Sequence, residues 1–88
     1  MKIIKEKKIA TVIDIKRNEY KDFISSSNVV YYDYIVTFDN GDIAHWGAII
    51  PSSNVFIVGK LTSYILTTIR TTKGIVYVTN PVIPRDID

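Results

Sequence analysis

The stretch that most constrains this 88-residue chain is Val29 to Ile50, where Asn40-Gly41 sits between Asp39 and Asp42 and is flanked by β-branched and aromatic residues. Such residues fit a pleated, half-buried surface, and Asn-Gly between them is the strongest short-range hairpin signal. Both central residues of a type I′ turn need positive φ, which Asn and Gly tolerate best. With that two-residue turn, Phe38 pairs with Ile43, Val36 with His45 and Tyr34 with Gly47 on one face. Thr37 then pairs with Ala44, Ile35 with Trp46 and Asp33 with Ala48 on the other. If Gly41 is instead the left-handed residue of a three-residue loop with a bulge, the returning strand slips by one residue and Trp46 changes face. The Asp-Asn-Gly-Asp turn favours the two-residue register, which puts Trp46 on the outer face.

The rest of the chain reads as strand after strand. No window of twelve residues carries a capped 3.6-residue apolar stripe, so no helix longer than about two turns is expected. A first strand runs from about Lys7 to Lys16, long enough to bend and serve two sheets. Its alternation sets Ile9, Thr11, Ile13 and Ile15 against Ala10, Val12, Asp14 and Lys16. From Arg17 to Asn28 the chain is polar, with Tyr20 and Phe23 embedded and Ser25-Ser26-Ser27-Asn28 as its loosest part, and reads as a long loop. After the central hairpin, Pro51-Ser52-Ser53-Asn54 breaks the third strand. Val55 to Val58 leads to a bend at Gly59-Lys60. A fourth strand, Leu61 to Arg70, turns at Thr71–Gly74 into a fifth, Ile75 to Thr79, which Asn80-Pro81 and Pro84 end; the last four residues should fray. Five strands, with hairpins joining second to third and fourth to fifth, make a single all-β domain: a five-stranded Greek-key barrel, closure being the economical way to hide strand edges in so short a chain.

Several function classes are excluded by residue type. The chain has no cysteine, so neither a disulfide scaffold nor a thiolate metal site is open to it. The N-terminal MKIIKEKKIA holds one apolar pair among lysines, short of a signal peptide, and no stretch approaches the ~20 apolar residues of a bilayer span. The expectation is a cytoplasmic chain (host cytoplasm if viral) with no membrane partner. The one histidine, His45, has no sequence neighbour that would build a metal site or a catalytic dyad. Asp14 falls in mid-strand, facing outward beside Lys16, and the four glycines are scattered singly, so no phosphate loop forms. The chain is read as a non-enzyme with no metal and no cofactor.

The aromatic and basic residues carry the functional signal. Six tyrosines and a tryptophan exceed what so small a core can fully bury. Alternation places Tyr31 opposite Tyr32 and Tyr34, and in the two-residue-turn register Tyr31, Ile35 and Trp46 share the outer face. Net charge is only +2, but Lys16, Arg17 and Lys21 cluster at the loop after the first strand, and Arg70 and Lys73 flank the last hairpin. Single-stranded nucleic acid is held by aromatic platforms for its bases, with lysines and arginines tracking its phosphates.

The order of elements resembles the OB-fold (oligonucleotide/oligosaccharide-binding fold) over roughly Ile9 to Val82. The residues that carry the likeness are Phe38-Asp39-Asn40-Gly41-Asp42, Phe56-Ile57-Val58-Gly59-Lys60-Leu61, Tyr64-Ile65-Leu66 and Lys73-Gly74-Ile75-Val76-Tyr77-Val78. In these it looks like the small single-stranded-DNA-binding proteins of bacteriophages. The loop before the fourth strand is short for the helix many OB-folds carry there. Only Asp86-Ile87-Asp88 stands where many such proteins have a long acidic tail. The OB-fold binds across its second and third strands, clamped by the loops after the first and fourth. The resemblance therefore implies a site of Lys16, Arg17, Tyr20, Lys21, Tyr31, Ile35, Trp46, Arg70 and Lys73. It also implies a role on exposed strands in replication or recombination. Single-stranded DNA is the expected partner; RNA, a second copy of the chain and replication proteins stay open beside it. The rival reading is a β-barrel assembly subunit using the exposed Tyr/Trp face against protein.

Overall fold

The computed structural model describes residues 2–48 and 55–82. Its elements are β1 (Lys2–Arg17), a 3-10 turn (Glu19–Lys21), β2 (Phe23–Ile24), β3 (Val30–Phe38), β4 (Ile43–Ala48), β5 (Leu61–Thr71) and β6 (Gly74–Pro81). The strands follow the order β1-β5-β6-β4-β3, and β3 pairs back onto β1, so five strands close into a barrel. Neighbours are antiparallel except β4 and β6, which meet in parallel at His45 and Val78. This is a closed, five-stranded Greek-key barrel of OB-fold-like topology. Strand β2 is an addition to it, two residues pairing on the outer side of β3 where the sequence reads as loop. Ile49, Ile50, the Pro51–Asn54 break, Pro84 and the last four residues lie outside the described residues. The fifth barrel strand runs on through Asn80 to Pro81, paired with Tyr64.

Closure depends on β1. Lys2–Thr11 pairs with β5 and Val12–Arg17 with β3, with a bulge between Val12 and Asp14. An extra residue on one strand bends it and reverses the alternation beyond. Ala10 and Val12 therefore point into the core, Ile13 turns out to solvent, and Ile15 packs inward again. Asp14 and Lys16 stay exposed. Strict alternation would have forced either Asp14 and Lys16 or the isoleucine set inside; the bulge avoids both.

The central hairpin takes the slipped register. Gly41 has φ of +94°, and its N–H donates to the Phe38 carbonyl at 3.1 Å while the Phe38 N–H donates to the Asp42 carbonyl at 2.8 Å. The loop is thus Asp39-Asn40-Gly41, and Tyr34 pairs with Trp46, Val36 with Ala44, Ile35 with His45. Trp46 is buried at 6% exposure, which corrects the outward placement expected from a two-residue turn. The core supplies the reason. In this register β4 buries Ala44, Trp46 and Ala48 and turns out Ile43, His45 and Gly47. The other would bury the imidazole and strand a large indole in water, losing a few kcal/mol of apolar burial. The loop is also tied down from outside: the Asp39 N–H donates to the Thr11 carbonyl at 2.9 Å, the Thr11 N–H donates to the Asp39 carboxylate at 3.1 Å, and the Asn40 amide reaches the Tyr64 hydroxyl at 2.9 Å.

Aromatic rings fill the barrel. Phe38 stacks on Tyr64 at 3.8 Å, and Phe56 stands edge-on to both Phe38 (5.9 Å) and Trp46 (5.1 Å). Tyr64 carries its hydroxyl to the barrel end, where it donates to Asp42 at 2.6 Å; Lys8 Nζ holds the same carboxylate oxygen at 2.8 Å. Burial, then the bond to Asp42, push the Tyr64 phenol up to about 12. Burial alone would raise the Asp42 carboxyl, but the Lys8 and Tyr64 donors outweigh it and hold it below the ordinary range.

Candidate functional site

The outer face of β3 and β4 shows alternate residues, Tyr31, Asp33 and Ile35 from one strand and Ile43, His45 and Gly47 from the other. Beside them, β6 raises a wall. Two adjoining clefts result, of about 240 and 210 Å3, and His45 lines both. The first is floored by Tyr31, Asp33 and Gly47 and reaches Phe23 of β2; the second passes Ile35 and Ile43 to Ile75 and Val76, beside the β5–β6 hairpin. The groove thus runs between the two loops singled out from the sequence.

At the β2 end the Tyr31 and Phe23 rings stack, 5.0 Å apart and 12° from parallel. The Tyr31 ring lies over Gly47 of β4, where an added Cβ would sit 3.5 Å from it, an ordinary contact. Tyr20, on the 3-10 turn, is 97% exposed. Lys16 stands opposite Ile35 on the neighbouring strand and is exposed, as is Lys21. Arg70 and Lys73 are exposed on the β5–β6 hairpin beyond the other end.

Two predicted site residues are engaged elsewhere. Trp46 lies in the core, as described. Arg17 is bidentate to Asp22 at 2.7 and 2.6 Å, donates to the Asp33 carbonyl at 3.0 Å, and lies over the Tyr32 and Tyr34 rings. With its fork filled it anchors the loop instead of offering itself to a phosphate. The reciprocal effect is on Asp22, whose carboxyl is held below its ordinary range by Arg17 first and by the Asp33 N–H second.

The groove floor also holds a polar pair that the sequence reading passed over. Asp33 is 6% exposed, and its Oδ2 accepts from Asn18 Nδ2 at 3.1 Å and contacts His45 Nδ1 at 2.9 Å. In the slipped register Asp33 faces Gly47 and Ile35 faces His45, which makes Asp33 and His45 diagonal neighbours on one face. In the two-residue-turn register they lie on opposite faces. The pair was legible only to a reader who had the bulge. Among the described residues no cluster of side chains is arranged to hold a metal ion, and no helix is long and apolar enough to cross a membrane.

A larger hollow, about 400 Å3, lies by the 41–43 turn, Leu66 and Tyr77. Its one carboxylate, Asp42, is already held by Lys8 and Tyr64, so it offers less unspent polar capacity than the groove. The chain matches no protein-family model, no curated protein and no solved structure.

Proposed function

We propose that this barrel is a non-enzymatic, largely sequence-independent single-stranded-DNA-binding protein that coats strands exposed during replication or recombination, in the cytoplasm. The observation that carries the reading is the groove across β3 and β4, with the Tyr31–Phe23 stack at one end and exposed cationic side chains beyond both, Lys16 and Lys21 on one side and Arg70 and Lys73 on the other. Bases stack on the aromatic rings, each worth ~1–3 kcal/mol, and phosphates run past Lys16 and Lys21 toward Arg70 and Lys73. Stacking needs only the π-face that every base has, so this mode of binding requires no hydrogen-bonding code. Release of counterions adds a term that falls with salt. RNA presents the same faces and phosphates and is the natural competitor.

Trp46, being buried, is a poor direct reporter. The test is anisotropy of labelled oligo-dT at two salt concentrations, with oligo-U beside it. Affinity that falls with salt supports the reading; no binding at low salt refutes it. A second reading has its own observation: Ile43, Ile75 and Val76 are 56%, 49% and 45% exposed along the same groove, an apolar content suited to protein contact. Light scattering across a concentration series checks for self-association through this face.

A further inference from the structure

His45 is where the two clefts meet, and its ring is held from behind. The Asp33 carboxylate is almost wholly buried, with Asn18 its other side-chain partner, so an ionised Asp33 needs a donor at His45 Nδ1. That fixes the tautomer: the proton sits on Nδ1, and Nε2 is left as the ring's remaining polar atom. Among the described residues Nε2 has no hydrogen-bond partner, and the His45 side chain is 38% exposed. Neutral His45 therefore shows the groove a lone pair. Protonated His45 shows it an N–H donor with a positive charge, while Asp33 keeps its bond to Nδ1 in either state.

We propose that the Asp33–His45 pair makes the groove a pH-dependent phosphate site, in which protonated His45 donates from Nε2 to a phosphodiester oxygen. This deepens the nucleic-acid reading and rests on it. The charged and titratable groups around the ring are few. Asp33 and Tyr31 come from β3 and Tyr77 from β6, while Arg17 and Asp22 stand behind Asp33 and are paired with each other. β2 contributes only Phe23. The chain has one histidine and no cysteine, and histidine is the side-chain type used as a switch near neutral pH.

The experiment is titration of labelled oligo-dT at pH 5.5 and 7.5, each at two salt concentrations, with the full chain and with His45→Gln. Glutamine keeps a polar group at this half-buried position without the charge. Far-UV circular dichroism at both pH values confirms that the variant is folded. The wild-type chain should bind tighter by about 10-fold or more at pH 5.5, as one charge-assisted bond is added. Its salt slope should steepen by ~0.7, one further phosphate neutralised on a single strand. His45→Gln should show neither change. Binding with the same pH dependence in both proteins overturns the role of His45 and leaves the nucleic-acid reading standing. No binding at either pH overturns both.

Discussion

Replacing Trp46 by alanine tests the placement on which the whole β3–β4 surface depends. The indole is 6% exposed, stands edge-on to Phe56 at 5.1 Å and tilts against Tyr34 at 5.6 Å. Its removal deletes the largest side chain of β4 from between Ala44 and Ala48, which are too small to close the gap. Transfer and cavity terms together put the loss at ~3–5 kcal/mol, as for other large aromatics removed from cores. Domains of this size have about 5–15 kcal/mol in total, with short chains at the low end. The loss should lower the melting temperature by roughly 12–40 °C. Urea unfolding followed by circular dichroism gives the midpoint, with an unchanged slope if the transition stays two-state. In the wild-type protein, Trp46 emission should be blue-shifted and weakly quenched by iodide. A variant within about 0.5 kcal/mol of wild type, the range of ordinary surface substitutions, would refute the slipped register. With it would go the pairing of Asp33 with His45.

Tyr20→Ala should leave the unfolding midpoint unchanged and cost ~1–3 kcal/mol in oligo-dT affinity, as one stacking platform is lost; equal affinity by anisotropy removes Tyr20 from the site. Neutralising Lys16, Lys21, Arg70 or Lys73 singly should reduce the salt slope by ~0.7 each, and an unchanged slope on reversing all four would show that these loops do not touch nucleic acid. Tyr64 contributes stability while protonated, present in full below pH 10 and lost as pH rises towards about 12, whereas Asp42, depressed below 3.8, loses its contribution only as pH falls under that value. Tyr64→Phe should remove the alkaline loss and cost ~1–3 kcal/mol at neutral pH, read from urea melts at pH 7, 10 and 11.5. Thr79 is fully buried, and among the described residues its hydroxyl has no hydrogen-bond partner, so Thr79→Val should raise stability by on the order of 1 kcal/mol; a lower midpoint would mean that the hydroxyl has a bound partner.

What the sequence determined by itself was local. Alternating β-branched and aromatic residues, punctuated by Asn40-Gly41 and by Thr71–Gly74, define strand after strand with no room for a long helix, and their order already implies the barrel. Tyr31 had to oppose Tyr32 and Tyr34 because a strand has a period of two. What the sequence left open were the places where that period breaks. At Ile13 and at Gly41 one residue is inserted, and each insertion reverses every side chain beyond it. The local chemistry of Asp-Asn-Gly-Asp accepts either turn, so the choice fell to the core, where Trp46 packs against Phe56 and His45 would have been a buried polar ring. The same holds for Arg17. Its charge is plain in the sequence, but its engagement with Asp22 and Asp33 is set by how the 18–24 loop folds back onto β3. Side-chain type is a local property; the face a side chain occupies and the partner it finds depend on register, and here register is decided by packing between strands distant in sequence.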